Sequence, residues 1–339
     1  MVNSTERAAT YFDIAKKLGI SVSTVSRAMN NSGEVSPKTR IAVLEEASRM
    51  SYTPNETARN LALKTNNTIA AVIPDIMNPY YSEVIKSLET VVRRNDFALL
   101  LCITNESDVM MDYYMNELLK KRVSGIILLS ACIRNHALLE KIKRNAVLVG
   151  ISTSHDDIDQ VESKEKDGVY QAIKHLTDLG HKRIAFIGYS LEDNHVLNCR
   201  LQGYQKALKE AGIPLDPELI VNAKPIDNPG GAEMEALLRL RNKPTAVHCM
   251  NEYIAFGAYV KIRELGLRIP EDISFSAQDG LHMSRVIYPK LTTVVTPIAA
   301  MAEAAAELVL QRINFGKKEE PQTILFNNRF VIGESTAPR

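Results

Sequence analysis

Residues 21 to 27, Ser-Val-Ser-Thr-Val-Ser-Arg, set short hydroxyl side chains and one arginine on what reads as a short helix. With Val25, Ala28 and Met29 turned inward, Val22, Ser23 and Arg27 face out. Arginine can donate two parallel hydrogen bonds to a guanine edge, valine can pack on a thymine methyl, and serine tolerates any base. A second polar set follows the apolar run Ile69 to Ile73. Asp75, Asn78, Tyr80 and Tyr81 stand where a parallel strand ends, the place at which α/β lobes bind small molecules. Packing at a lobe interface is the other use of such tyrosines. The run His155-Asp-Asp-Ile-Asp159 has metal-ligand residue types, but it lies between a strand and a helix and reads as a solvated loop.

Catalysis finds no support. There is no Gly-x-Gly-x-x-Gly, phosphate loop, His-Glu-x-x-His or Gly-x-Ser-x-Gly. Cys102, Cys132, Cys199 and Cys249 stand too far apart for a metal site or a disulfide framework and read as small partly buried hydrophobes. No cofactor and no metal is expected. The opening residues lack the apolar core of a signal peptide and no run is long enough for a membrane span, which points to a cytoplasmic chain with no membrane partner.

The elements that must position these residues fall into two kinds. Across 339 residues, with 45% hydrophobic and 24% charged, the chain can bury two or three cores. Residues 10 to 51 read as three short helices: Tyr11 to Leu18, stopped by Gly19; a second capped by Ser21; and a third entered at Ser36-Pro37 that buries Ile41, Leu44 and Ala47. Two helices joined at Gly19 make a helix-turn-helix. Residues 1 to 65 hold nine Lys/Arg against six Asp/Glu, whereas the remainder holds 32 against 34, so any polyanion partner belongs to the N-terminal end. The segment from Asn55 to Leu63 is too short to be a stable helix alone and needs a partner to form. From Thr68, apolar strands alternate with amphipathic helices. Strands are expected near 69–73, 97–102, 125–130, 146–151, 183–188, 245–250, 273–277 and 291–296, giving two α/β lobes of parallel strands.

The motifs resemble, in order along nearly the whole chain, those of the lac and galactose repressor family of bacterial transcriptional regulators. They are Thr10 to Ala15, Ile20 to Asn30, Tyr52-Thr-Pro-Asn55, Ala58-Arg-Asn-Leu-Ala62, Pro74 to Tyr81, Leu179 to Ala185, Pro244-Thr-Ala246, Gly266 to Ser274 and Leu291-Thr-Thr293. The resemblance implies a multi-domain chain: an all-α helix-turn-helix domain over 8–54, a hinge helix and linker over 55–66, and a two-lobed periplasmic-binding-protein-like core over 67–339. The N-lobe would span 67–165 and 296–326, the C-lobe 166–295 and 327–339. It further implies a homodimer on double-stranded operator DNA, tetramers in relatives requiring an extra C-terminal helix after the core.

By resemblance, the DNA contacts fall to Thr10, Ser21, Val22, Ser23, Thr24, Ser26, Arg27, Asn30 and Tyr52, and in the hinge to Asn55, Ala58, Arg59 and Leu61, with Leu61 wedged into the minor groove. The effector site would draw on Asp75, Asn78, Tyr80, Tyr81, Ser130, Ser163, Lys164, Arg200, Asn251, Gln278 and Asp279. The chain departs from the family here. Ser163 and Lys164 replace an Asp-Asn pair, Ile151 replaces a strand-end acid, Pro225 an aromatic, and Ala277-Gln-Asp-Gly280 a Gly-Tyr/Phe-Asp-Asp sequence. Lys164 beside Arg200 then suggests an anionic effector, a sugar acid or sugar phosphate, over a neutral sugar. A core that answers to a phosphorylated carrier protein is the alternative, and a solute-binding receptor would lack the DNA reader.

Overall fold

The computed structural model describes residues 9–29, 34–52, 66–153, 155–189, 195–224, 229–316 and 320–339. The chain divides into two compact units, 1–65 and 66–339. The predicted contacts at Asn30, Asn55, Ala58, Arg59 and Leu61, and the departure at Pro225, lie outside the described residues.

In the first unit Thr10 caps helix α1 (Tyr11–Leu18) through a reciprocal pair: its hydroxyl accepts from the Asp13 backbone and Asp13 accepts from the Thr10 N–H at 2.9 Å. Gly19, at φ 65°, turns the chain into α2 (Val22–Met29), where the Ser21 hydroxyl accepts from the Thr24 N–H at 3.0 Å. Helix α3 (Pro37–Arg49) starts with Ser36 as cap and proline at its first position. Ile14, Ala15, Val25, Ala28, Val43 and Ala47 form the core of this unit. The third helix is rotated from expectation, with Ile41 57% and Leu44 42% exposed while Val43, Glu46 and Ala47 face inward. The inward face recurs at i, i+3 and i+4 from Val43, so hydrophobicity at 41 and 44 misled the phase.

The second unit carries two six-stranded sheets. The first half of its chain runs β1 (Thr68–Ile73), α4 (Pro79–Arg94), β2 (Ala98–Ile103), α5 (Asp108–Lys121), β3 (Gly125–Leu129), α6 (His136–Asn145), β4 (Val147–Ile151) and β5 (Asp159–Ser163). There follow α7 (Glu165–Asp178), β6 (Ile184–Tyr189), α8 (His195–Glu210), β7 (Ile220–Ala223), α9 (Gly231–Leu238), β8 (Ala246–Cys249), α10 (Glu252–Glu264), β9 (Ser274–Asp279) and β10 (Thr292–Val295). Helix α11 (Ile298–Phe315), β11 (Thr323–Phe326) and β12 (Arg329–Val331) complete it.

The N-lobe sheet has the order β11-β5-β4-β3-β1-β2, all parallel, and the C-lobe sheet β12-β10-β9-β8-β6-β7, parallel except for β12 against β10. Such βαβ units put the strand carboxyl ends on one edge of each sheet. The chain passes between lobes three times: after β5, after β10 and after β11. Strands β5, β7, β11 and β12 were not foreseen, because their short sequences mix polar and apolar residues without a clear period.

The acidic run is only partly the solvated loop expected. Asp156 and Asp157 are exposed, but Asp159 begins β5 and is buried, held in a two-pronged pair by Arg312 of α11 at 2.9 and 2.8 Å. The Asp159 carboxylate also accepts from the Gln322 N–H, so one buried pair pins helix α11 and the approach to β11 onto the N-lobe sheet. Arg312→Ala leaves that carboxylate buried without its cation. A stability loss of about 3–5 kcal/mol is expected, read as a lower urea midpoint, and an unchanged midpoint would show that the pair holds nothing.

Candidate functional site

In the helix-turn-helix unit the outward face of α2 presents Val22, 43% exposed, with Ser23 and Arg27 exposed beside it. The hydroxyls of Ser21, Ser23 and Thr24 bond to one another at 2.7 and 2.8 Å. Arg27 pairs with Glu34 at 3.1 Å, both side chains exposed, so a guanine edge would have to displace a weak surface partner. Ser26 and Tyr52 are half-buried, Tyr52 lying 5.3 Å from the Tyr11 ring, and Thr10 is engaged as the α1 cap.

In the second unit a cavity of about 230 Å³ opens where the strand ends of the two lobes face each other. It lies below the roughly 300–1,000 Å³ of drug-sized sites and so suits a ligand of monosaccharide dimensions. Asp75, Asn78, Tyr80, Tyr81, Ser130, Arg200, Asn251 and Asp279 all line it. Asn78 caps α4 through the Tyr80 N–H at 3.1 Å, which stands Tyr80 and Tyr81 on the first turn with their rings edge to face, 5.3 Å apart. Tyr80 is hydrogen-bonded to Ser152 and Tyr81 to Ser130, and burial raises the pKa of both phenols, so both stay neutral.

Arg200 is fixed on all sides. Its Nε donates to Glu165 at 2.8 Å, Nη1 to the Met250 carbonyl and Nη2 to Asp279 at 3.3 Å. Burial works against its charge, but Glu165 and Asp279 outweigh that and hold the guanidinium protonated. Burial also pushes the Asp279 carboxyl well above the usual range, while Arg200 pulls it back. Glu165 opens α7 and Arg200 lies on α8. The two helices meet closely because position 203 is glycine, where any side chain would run into the Lys166 carbonyl.

Three predicted effector residues do not line the cavity. Lys164 is exposed and outside it; the Ser163 hydroxyl turns away to Glu165 at 2.6 Å; Gln278 is buried and donates to Glu165. Ile151 packs in the N-lobe core. The carboxylate lost from position 163 returns two residues later as Glu165, which lines the cavity where Lys164 does not. Glu165, Thr104, Glu106, Ser152, Thr153, Tyr189 and Tyr253 also line the cavity and were missed. Of these, Thr104, Ser152 and Tyr189 stand at or just past strand ends, a positional signal that was available. Among the described residues, eight that are not glycine have positive φ, and four of them, Glu106, Ser130, Ser152 and Asp279, line this cavity. Backbone strain concentrated in this way is characteristic of ligand sites.

An all-α helix-turn-helix unit carried in one chain with a cleft-bearing two-lobed core defines a transcriptional regulator rather than an enzyme. Residues 10–55 match the family described as bacterial regulatory proteins, lacI family, and residues 173–336 match the periplasmic binding protein-like domain. The HTH-type transcriptional regulator DegA of Bacillus subtilis is 35% identical over 335 residues, 97% of this chain and 98% of its own. The ribose operon repressor of Haemophilus influenzae is 33% identical, covering 96% of this chain and 98% of its own. A LacI family regulator from Enterococcus faecium, solved with bound ribose, superposes at TM-score 0.73 with 30% identity, covering 80% of this chain and 99% of that one. The lac repressor dimer bound to operator and the anti-inducer ONPF shares the fold at TM-score 0.87 and 24% identity, over 98% of this chain and 100% of that one. The chain belongs to the lacI family of DNA-binding transcriptional regulators. Among the described residues no helix is long and apolar enough to cross a membrane.

Beside the cavity, Glu252 at the start of α10 is fully buried and accepts from the Gly280 N–H at 3.0 Å, the Leu281 N–H at 2.7 Å and the Thr293 hydroxyl. Burial raises its pKa from 4.5 to about 7, against the pull of those donors. The folded core therefore holds a proton that the unfolded chain releases between about 4.5 and 7. Its stabilisation is present in acid and is lost as pH rises through about 7, on the order of 3 kcal/mol in all. Thermal melts from pH 5 to 7.5 should show the parent losing more stability than Glu252→Gln; parallel curves would refute the assignment.

Proposed function

We propose that this regulator acts as a homodimer on a pseudo-palindromic operator, that a small hydroxyl-rich effector in the interlobe cavity tunes its DNA affinity, and that it represses catabolic genes. The observation that carries the reading is the cavity, in which Arg200, Asp279, Asn251 and Asn78 converge with two tyrosine rings between lobes joined only by short crossings. A ligand touching both lobes changes their relative angle, and a changed angle alters DNA affinity by linkage, reciprocally. The hinge at Asn55 to Leu61 would fold on the minor groove only when two copies are held at the right separation.

Dimerisation through the core has its own support. Strand β2, Ala-Leu-Leu-Leu-Cys-Ile, is an edge strand of unbroken apolar sequence with Leu101 exposed, and Val109 and Tyr113 stand exposed on the helix that follows. An exposed apolar edge invites a second chain. On the C-lobe, Val260, Met283, Val286 and Tyr288 are likewise exposed.

Selection of binding sites from random DNA, followed by gel shift, tests the reader. Arg27→Ala is expected to weaken the selected site by about 1–3 kcal/mol and relax one base position, with the fold intact. Retention of full affinity and specificity would place base reading elsewhere. Light scattering of the full chain should give twice the chain mass, and Val109→Glu with Tyr113→Glu should give monomers that lose operator binding. A monomeric parent would refute the dimer.

A further inference from the structure

The charge in the interlobe cavity is unbalanced. Its lining holds five carboxylates, Asp75, Glu106, Asp108, Glu165 and Asp279, against the guanidiniums of Arg134 and Arg200. Both arginines are already engaged, Arg134 with Asp108 at 3.0 Å and Arg200 with Glu165 and Asp279. Three negative charges are left over by that count, and two of the carboxylates, Asp75, which accepts from the Met77 N–H, and the exposed Glu106, pair with neither arginine. The C-lobe segments outside the described residues, 190–194 and 225–228, contain no Lys or Arg that could offset this.

Asp75 and Glu106 line the cavity together with Tyr81 and Tyr189. Burial raises the pKa of Glu106 and the charge of Asp75 raises it further, so the two carboxylates feel each other. The charge of Glu106 also raises the pKa of the Tyr81 and Tyr189 phenols, two rings that line the same cavity. Arg200, already held by Glu165 and Asp279, and Asn251 offer polar groups for hydroxyls. Like charges in a partly closed cavity repel and lower stability unless something positive joins them. Aromatic faces beside carboxylates are the chemistry that holds an organic cation, the ring quadrupole adding to the ion pair. Among the described residues no group of three or more His, Cys, Asp or Glu is arranged to hold a metal ion, so the cavity does not read as a divalent-cation site.

We propose that the effector is a small polyhydroxyl amine, its protonated nitrogen held by Asp75 and Glu106 beside Tyr81 and Tyr189 and its hydroxyls facing Arg200, Asp279 and Asn251. This rests on the reading of the cavity as the effector site and adds the charge of the ligand. The resident carboxylates supply attraction for a cation, discriminate weakly toward neutral sugars and repel sugar acids and phosphates.

The test uses the full-length dimer on its selected operator. Thermal shift and titration calorimetry are run with matched sets built on one skeleton: glucose, glucosamine, gluconate and glucose 6-phosphate, the corresponding galactose set, and a wider library of neutral, acidic and amine-bearing sugars and nucleosides. Amine-bearing members should stabilise the protein and bind at least about tenfold tighter than their neutral partners. Glu106→Gln and Asp75→Asn, which relieve the repulsion and should leave the unliganded melting temperature at or above that of the parent, should each remove most of that preference. Tight binding of neutral or acidic members without amine preference overturns the inference and leaves the effector reading standing. An amine preference unchanged in both variants also overturns it. If no small molecule of any class binds while operator binding persists, the effector reading itself falls, and the core answers to a protein partner.

Discussion

A guanidinium buried to 6% exposure between two carboxylates is the constraint around which the sensing core is arranged. Taking Arg200 out of water is affordable only because Glu165, Asp279 and the Met250 carbonyl meet its donors together. Those three partners come from three elements, α7, β9 and the end of β8. Their convergence requires helices α7 and α8 to touch, which the absence of a side chain at position 203 permits. Gln278 and Ser163 then saturate Glu165 from beneath, so the carboxylate nearest the arginine is rigid and spoken for. Packing and polar satisfaction are thus one problem at this site, and the cavity inherits a fixed wall.

Around that wall, the lobes are joined by very little chain. Three short crossings carry the backbone, and the segment at Gly280 to His282 adds a fourth tie: it is held from the C-lobe by Glu252, while Leu281 packs in the N-lobe core and the His282 N–H donates to Glu83 of α4 at 3.2 Å. A carboxylate buried beneath such a tie costs stability when ionised. The tie begins one residue after Asp279, which lines the cavity, and it touches both lobes. The paired Asp159 and Arg312 act within one lobe, fastening α11 to its own sheet.

The DNA-reading unit follows a different economy. Six small and medium apolar side chains make its core, which is little for independent stability, and its helix ends rely on caps at Thr10, Ser21 and Ser36. What it gains is a short helix whose outer face, with Val22, Ser23 and Arg27 exposed, has no core duty.

The sequence by itself determined the unit division, the three reader helices with their caps, and eight of the strand positions, because caps, glycine stops and apolar runs are local signals. It also brought together Asp75, Asn78, Tyr80, Tyr81, Ser130, Arg200, Asn251 and Asp279, all of which line one cavity. Tertiary structure decided the rest. The phase of α3 depended on which face met α1 and α2, not on hydrophobicity at Ile41 and Leu44. Strand β5 and the burial of Asp159 depended on Arg312, 153 residues away. The sign of the cavity depended on a helix start that points Lys164 to solvent and Glu165 to Arg200, a difference of one residue. Successive residues at a helix start diverge by about 100°, so the charge that faces the ligand is set by how α7 docks on the sheet, which no local pattern encodes.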